Sequence, residues 1–125
     1  MVIGVGTDII EIERIGKAIL KKSFIEKYFT EREITFFESR NFKAETIAGS
    51  FAAKEAVAKG LGTGFSSFGA IDIEIIHDNK GVPYVVLGGN AKVVAMEKEI
   101  ENICISISHC RDYAIAYAVA EGGNV

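Results

Sequence analysis

The arrangement of this chain depends on the segment Gly49-Ser-Phe-Ala-Ala-Lys-Glu-Ala-Val-Ala-Lys-Gly-Leu-Gly-Thr-Gly64. Alanine, lysine, glutamate and leucine favour helices, whereas the closing Gly-Thr-Gly is a strong helix stop. The segment therefore predicts the second half of a helix that covers about residues 44–62. At about 100° per residue, one face of this helix collects the apolar side chains of Ile47, Phe51, Val57, Ala58 and Leu61.

Two charged residues, Glu55 and Lys59, lie on the shoulder of this apolar face, one helical turn apart. They share that side of the helix with three small residues, Ala44, Ala48 and Ala52. Because a row of alanines lets another backbone approach closely, we expect both charges to be partly buried. The alternative is an ordinary surface ion pair, which stabilises a helix by about 0.2–0.5 kcal/mol.

The N-terminal segment offers a surface that matches this helix. Val2–Asp8 alternates in the manner of a strand, and Gly4, Gly6 and Asp8 share one of its faces. A strand face that lacks side chains allows close approach of another backbone, and the alanine-lined helix is its natural partner. We therefore expect Asp8 and Glu55 to point into the same crevice.

Length, charge and cysteine content restrict the class of protein. A chain of 125 residues with a net charge of −3 predicts one domain, residues 1–125, and argues against general nucleic-acid binding. No apolar run approaches the roughly 20 residues of a membrane span, and the N-terminal run Met1–Val5 lacks the basic start of a signal peptide. Cys104 and Cys110 are too few for a disulfide framework, so we expect a reduced, cytoplasmic setting.

The remaining pattern predicts an α+β domain with a mostly antiparallel sheet packed against helices, in the order β-α-α-α-β-β-α-β-β. A capping box at Thr30–Glu33 predicts a helix that runs to about Arg40. The other expected helices are Glu11–Lys22 and Gly89–Glu101, and Ser23–Phe29 is expected to be a short helical segment. The expected strands are Ile71–Ile76, with Ile71, Ile73 and Ile75 inward, then Val82–Leu87, Ile103–His109 and Tyr113–Glu121. The last two strands are expected to form a small-sided face of Ser106, Ser108, Ala114, Ala116 and Ala118 that needs a packing partner.

Two further features are candidates for function. Arg14, Lys17 and Lys21 recur on one face of the predicted helix Glu11–Lys22, and form a basic strip on an acidic chain. The alternative is a solvated helix face. His109 ends its strand on the side of the isoleucines, where a histidine is either structural or part of a site.

Four blocks of sequence occur in order along essentially the whole chain. They are GTDIIEIERI at residues 6–15, FAAKEA at 51–56 with Lys59 and the Gly-Thr-Gly turn, GVP at 81–83, and SISH at 106–109. In these blocks the chain closely resembles the holo-acyl-carrier-protein synthase family, the short class of 4′-phosphopantetheinyl transferases. The resemblance implies Mg²⁺-dependent transfer of 4′-phosphopantetheine from coenzyme A to a serine of apo-acyl carrier protein, a step of fatty acid biosynthesis that releases adenosine 3′,5′-bisphosphate. It also implies a homotrimer with active sites between subunits.

The resemblance also implies roles for individual residues. Asp8 and Glu55 match the metal-binding positions of the family, Lys59 matches the lysine beside the phosphates, and these three would be the catalytic residues. The acidic carrier protein would dock on Arg14, Lys17 and Lys21. The residues that would bind coenzyme A are Lys43, Lys59, Gly62, Thr63, Gly64, Pro83 and His109, with His109 near the nucleotide end.

The chemistry of these residues suits the implied reaction. Mg²⁺ is commonly held by one or two carboxylates together with substrate phosphates and waters, as the Asp8–Glu55 pair would allow. Glu55 is the best candidate to take the serine proton, either directly or through a metal-bound water. One position departs from the family, because Ser50 stands where a basic residue is common. A phosphate or carrier-protein contact made at that position would be missing here, and Arg40 or Lys43 is a candidate to replace it.

Two other functions remain open from the residues alone. One is a Mg²⁺-dependent hydrolase that cleaves a diphosphate with water, and the other is a non-catalytic binding module for nucleotides or acidic proteins. A hydrolase would release product without any carrier protein, whereas a binding module would hold coenzyme A without turnover.

Overall fold

The computed structural model describes residues 1–123, which form five strands, five α-helices and two short 3₁₀ turns. The strands are β1 (Val2–Glu11), β2 (Ile73–His77), β3 (Pro83–Leu87), β4 (Ile100–His109) and β5 (Tyr113–Gly122). The α-helices are α1 (Ile12–Ala18), α2 (Lys22–Tyr28), α3 (Glu31–Ser39), α4 (Ala44–Gly60) and α5 (Gly89–Glu97). The predicted α+β class is confirmed, although four helices rather than three separate β1 from β2.

Three strands form the main sheet in the order β1-β5-β4, with antiparallel pairing throughout, and β2 and β3 form a separate antiparallel hairpin. Helix α4 lies across the inner face of the main sheet, where β5 contributes only alanines. These buried alanines are Ala114, Ala116, Ala118 and Ala120. No helix within residues 1–123 is long and apolar enough to cross a lipid bilayer.

The predicted packing of α4 against the bare face of β1 is confirmed. A Cβ atom at Gly4 would clash with the carbonyl oxygen of Gly60, and one at Gly6 would clash with that of Ala56. Strand and helix therefore meet backbone to backbone, which only glycine allows on the strand side. This contact fixes the position of the C-terminal half of α4 above β1.

The single helix predicted for residues 11–22 is wrong. Strand β1 continues to Glu11, because it pairs with β5 along its whole length as far as Tyr113. Helix α1 then ends at Ala18, and Lys21 is the N-cap residue of α2. The break lets α2 fold back so that Phe24 stacks on Phe51 of α4, with ring centroids 6.2 Å apart. Tertiary packing thus divides a segment whose local sequence allows one helix.

The composition of the small-sided face on the last hairpin also needs correction. Residues directly opposite each other in an antiparallel pair lie on the same face. Ser106 pairs with Tyr117 and Ser108 with Ile115, so both serines lie on the outer face, away from α4 and from the β5 alanines. The predicted face mixed the two sides because the register set by the turn at residues 110–112 cannot be read from alternation alone.

The strand predicted to begin at Ile71 begins two residues later. Ile71 lies in the 3₁₀ turn Ala70–Asp72 and is 47% exposed, whereas Ile73 and Ile75 are buried as predicted. The inward expectation for Ile71 is therefore wrong, since alternation does not continue through a 3₁₀ turn.

The predicted capping box at the start of α3 is confirmed, and it extends into the core. The Thr30 hydroxyl accepts from the Glu33 amide at 3.4 Å, and the Glu33 carboxylate accepts from the Thr30 amide at 3.0 Å. Glu33 also accepts from Lys54 Nζ at 2.7 Å and from the Ile75 amide at 3.0 Å. One carboxylate therefore joins α3, α4 and β2.

Candidate active site

Asp8, Glu55 and Lys59 come together where β1 passes under the C-terminal half of α4. Lys59 Nζ lies 3.4 Å from Asp8 Oδ1 and donates to the carbonyl oxygen of Thr7 at 2.9 Å. The Asp8 side chain is 18% exposed and that of Lys59 is 53% exposed, so the lysine reaches further into solvent than expected. Among the described residues Glu55 and Lys59 form no ion pair, because Lys59 turns towards Asp8. The Asp8 charge acts on Glu55, which agrees with the expectation that the two carboxylates share a crevice.

The surroundings of the two carboxyl groups in this crevice disfavour their charged forms. Burial raises the pKa of Asp8, and the nearby Lys59 ammonium opposes that shift. Burial likewise raises the pKa of Glu55, and the Asp8 carboxylate raises it further, while Lys59 opposes. Such a pair of crowded carboxylates gains stability from any added cation.

The donor set of this crevice fits a hard divalent cation. Carboxylate oxygens are the ligands that Mg²⁺ prefers, and the mutual repulsion of Asp8 and Glu55 would be relieved by binding. Within residues 1–123 no cluster of three or more histidine, cysteine, aspartate or glutamate side chains could hold a metal. Two carboxylates leave most positions of an octahedral ion to other ligands, such as phosphate oxygens and water.

The glycine turn after α4 lies next to this crevice along the chain. The Gly62 amide donates to the Lys59 carbonyl at 2.9 Å, and Gly62 and Gly64 both have positive φ angles, of 85° and 57°. Lys98 Nζ occupies the space that a side chain at Gly62 would need and donates to the carbonyl oxygen of Leu61 at 2.5 Å. The C-terminal end of α4 is therefore contacted by a second lysine, Lys98, which the sequence did not reveal.

Pro83 and His109 lie in a different place, a cleft of about 320 Å³ beside the N-terminal half of α4. Helix α4 meets β4 here, since a Cβ atom at Gly49 would lie 2.9 Å from Cγ2 of Ile107. The other lining residues are Phe36, Arg40, Glu45, Thr46, Ser50, His77 and Gly81. The inward parity predicted for His109 is confirmed by its pairing with the buried Ala114.

Helix α4 separates the cleft from the crevice. Glu55 is rotated about 140° from Ser50 and about 180° from Thr46 around the helix axis. Asp8 lies on β1 and His109 on β4, the two opposite edges of the sheet. In one copy of the chain, therefore, the two groups of predicted site residues face different flanks of the helix.

The predicted basic strip is not one helical face. Arg14 and Lys17 are exposed on α1, and Lys17 pairs with Glu13 at 3.4 Å, whereas Lys21 caps the separate helix α2. Lys43 is the exposed N-cap residue of α4 and lies outside the residues that line the cleft.

Known proteins share the sequence and the fold of this chain. The sequence matches the 4′-phosphopantetheinyl transferase superfamily over residues 4–118. The chain belongs to this superfamily. Among its relatives in this superfamily, the holo-[acyl-carrier-protein] synthase of Clostridium novyi (strain NT) is 54% identical over 125 residues, which cover 99% of this chain and 91% of the relative.

Solved phosphopantetheinyl transferases share the fold of the whole chain. The Plasmodium yoelii acyl carrier protein synthase with ADP bound is 40% identical, with a TM-score of 0.88 and coverage of 99% of this chain and 98% of that one. The Helicobacter pylori holo-[acyl-carrier-protein] synthase in complex with coenzyme A is 33% identical, with a TM-score of 0.83 and coverage of 94% and 99%. The family resemblance and the fold predicted from the sequence are both confirmed.

Some residues of this phosphopantetheinyl transferase were missed from sequence. Lys54 directly precedes Glu55, yet its side chain is only 1% exposed and its ammonium pairs with Glu33. The capping box was a usable signal for Glu33, but nothing in the sequence indicates its second partner. Phe36 and His77 were likewise missed, because they meet only when α3 packs against β2.

Proposed function

We propose that this chain is a holo-acyl-carrier-protein synthase, which transfers 4′-phosphopantetheine from coenzyme A to a serine of apo-acyl carrier protein. The observation that carries the proposal is the crevice of Asp8, Glu55 and Lys59, in a superfamily member whose structural neighbours bind coenzyme A or ADP. We propose further that residues 1–125 act as one domain in the cytoplasm.

Lys59 and the glycine turn would hold the diphosphate of coenzyme A. An ammonium forms charge-assisted hydrogen bonds to phosphate oxygens, and Lys59 is exposed enough to leave Asp8 for a substrate. Residues Gly62, Thr63 and Gly64 present backbone rather than bulky side chains, which allows close approach of the substrate.

Asp8 and Glu55 would hold Mg²⁺ together with that diphosphate. When bound, the ion would neutralise charge on the phosphate oxygens and stabilise the leaving group. The role of the two side chains is to supply carboxylate oxygens whose repulsion favours a cation over an empty crevice.

Glu55 would also act as the general base, because its carboxylate lies in the same crevice as Asp8 and Lys59, where the serine must approach the diphosphate. The carrier serine oxygen forms a bond to the β-phosphorus, and its proton passes to Glu55. The bond between that phosphorus and the bridging oxygen breaks, and the oxygen leaves with the electron pair on adenosine 3′,5′-bisphosphate.

The site would be completed by a second copy of the chain. Within a single copy, α4 lies between Lys59 in the crevice and Pro83 with His109 in the cleft. One coenzyme A would contact both groups more directly across two copies. The outer face of the main sheet is free to bring copies together. It exposes large apolar side chains, namely Val5, Ile9, Tyr113, Ile115 and Tyr117. A patch of this kind marks an interaction surface, and we propose that it forms the centre of a homotrimer.

The carrier protein would dock beside the crevice on the exposed cations of α1. Arg14 follows the end of β1 closely and can grip a carboxylate with two hydrogen bonds, and Lys17 lies one turn further on. Lys21 belongs to the next helix and would make a separate contact. We expect Arg14→Ala to raise KM for the carrier while leaving KM for coenzyme A nearly unchanged, and added salt to have the same effect.

Mass spectrometry of apo-acyl carrier protein after incubation with the enzyme, coenzyme A and Mg²⁺ tests the reaction. A phosphopantetheine adduct on the carrier serine is expected. Release of adenosine 3′,5′-bisphosphate without any carrier would instead indicate the hydrolase, and binding of coenzyme A without turnover would indicate a binding module.

Mixed assemblies test whether the site is shared between copies. Glu55→Gln damages the crevice and His109→Ala damages the cleft, so each variant alone is expected to be weakly active. When the two are unfolded together and refolded, some interfaces join an intact crevice to an intact cleft, and activity is expected to rise. A shared site would be contradicted if mixed trimers recovered no activity. It would also be contradicted if light scattering showed a monomer and that monomer were fully active.

A further inference from the structure

Helix α5 contacts the segment that follows α4 at two points. The ammonium of Lys98, at the C-terminal end of α5, donates to the carbonyl oxygen of Leu61 at 2.5 Å. Asn90, in the first turn of α5, donates from Nδ2 to the carbonyl oxygen of Ser67 at 3.0 Å. One acceptor precedes the glycine turn, residues 62–64, and the other follows it. The two ends of one helix therefore hold the chain on both sides of this turn.

Helix α5 is itself fixed to the body of the protein. Ala91 and Ala95 are buried in the core. At the start of the helix, the Gly88 amide donates to the carbonyl oxygen of Asp72 at 2.8 Å, and the Asp72 carboxylate fills the space that a side chain at Gly89 would need. Because α5 is anchored in this way, its side chains can impose a position on the segment that they contact.

Lys98 makes its contact with a helix end although acidic residues are its neighbours. Glu97 and Glu99 flank it in the sequence, yet within residues 1–123 it forms an ion pair with neither. Its ammonium lies instead at the end of α4, where the last carbonyl oxygens have no amide partner within the helix. Lys98 Nζ also occupies the space that a side chain at Gly62 would need. A cation thus fills the gap that this glycine leaves.

The charge of Lys98 has a consequence for an anionic substrate. The C-terminal end of an α-helix carries a partial negative charge, which repels an anion. Under the proposed function the diphosphate of coenzyme A lies at Lys59 and the glycine turn, beside this end of α4. We propose that Lys98 and Asn90 are positioning residues for the diphosphate. Lys98 neutralises the end of α4, and both side chains hold the glycine turn in the shape that admits the substrate, without contacting it. This inference rests on the proposed function.

Steady-state kinetics of the full-length enzyme with apo-carrier protein and Mg²⁺ test this role. Lys98→Met keeps the length of the side chain and removes its charge, and is expected to raise KM for coenzyme A about tenfold while KM for the carrier stays nearly unchanged. Lys98→Arg restores a cation and should recover part of that loss. Asn90→Ala loses a hydrogen bond between neutral groups and should raise KM for coenzyme A about threefold. Lys92→Met makes the same change at an exposed position of α5 and is the matched control.

A purely structural role predicts a different pattern. Partial unfolding would lower the amount of active enzyme, and therefore the maximal rate, but would leave KM for coenzyme A unchanged. The positioning role would be overturned if Lys98→Met left KM for coenzyme A unchanged, if KM rose equally for both substrates, or if Lys92→Met had the same effect. No recovery in Lys98→Arg would overturn the role of the charge.

Calorimetric titration with coenzyme A, in the absence of carrier protein, measures the same loss as weaker binding. An affinity equal to that of the wild type in Lys98→Met would contradict the proposal. Asn90→Ala applies both measurements if Lys98→Met does not fold. Absence of transfer by the wild type contradicts the proposed function rather than this inference.

Discussion

Helix α4 carries two lysines five residues apart, Lys54 and Lys59, each paired with a carboxylate, and the two pairs differ in burial and in hydrogen bonding. Lys54 is 1% exposed and donates to Glu33 at 2.7 Å and to the carbonyl oxygens of Ala70 and Ile73 at 2.9 and 2.8 Å. Lys59 is 53% exposed and contacts Asp8 only at 3.4 Å. We call the first the closed pair and the second the open pair.

The difference lies in how fully the polar atoms are satisfied. Burial lowers the pKa of Lys54, and the Glu33 carboxylate opposes that shift, while three acceptors surround the ammonium. Burial raises the pKa of Asp8 in the open pair and that of the neighbouring Glu55, so Lys59 does not fully compensate either carboxylate. A satisfied buried pair holds elements together, whereas an unsatisfied one has capacity left for a ligand.

Breaking the closed pair is expected to have the largest effect on stability. Lys54→Met leaves Glu33 buried without its cation and should lower the free energy of unfolding by about 3–5 kcal/mol. The double variant Lys54→Met with Glu33→Gln removes both charges and should recover part of that loss. Urea denaturation measures both values, and a single variant within about 1 kcal/mol of wild type would show that the closed pair is not structural.

Removing the negative charge of Asp8 or of Glu55 should reduce catalysis and leave the fold unchanged. Asp8→Asn or Glu55→Gln should slow transfer by at least about a hundredfold, because a ligand for the cation is lost. Without metal, the free energy of unfolding of each variant should equal or exceed that of the wild type, since one partly buried, repelling charge is gone. Wild-type turnover by either variant at ordinary Mg²⁺ concentrations would contradict the metal site.

Lys59→Ala should have a smaller effect, confined to the substrate. Loss of one charge-assisted contact to the diphosphate should raise KM for coenzyme A about tenfold and slow transfer. The free energy of unfolding should change by less than about 1 kcal/mol, because the lysine is half exposed. Unchanged kinetics at limiting coenzyme A would mean that the open pair is an ordinary surface pair.

The exposed ion pair Glu13–Lys17 is expected to contribute least to stability among these ion pairs. Both side chains are mostly in solvent, at 82% and 76% exposure. Lys17→Ala should therefore change the free energy of unfolding by less than about 0.5 kcal/mol. The same variant should raise KM for the carrier protein, though less than Arg14→Ala does. A larger loss of stability would show that the geometry of an ion pair, rather than its exposure to solvent, sets its contribution to the free energy of unfolding.

Local signals in the sequence were sufficient for part of this site. The capping box at Thr30 depends on residues three apart, and the contact of Gly4 and Gly6 with α4 depends on side-chain size and on periods of two and 3.6 residues. The same two patterns placed Asp8 near Glu55. Each of these features follows from the order of neighbouring residues, so the chain itself determined them.

Only the tertiary structure decided which partners the charges take. Spacing suggested a pair between Glu55 and Lys59, but Lys59 turns to Asp8 and Lys54 to Glu33, at separations of 51 and 21 residues. The end of α1 at Ala18, the outward serines of β4 and the stack of Phe36 on His77 were equally hidden. All of them depend on the register of strands and the docking of helices, which are set by contacts between distant residues and leave no periodic trace along the chain.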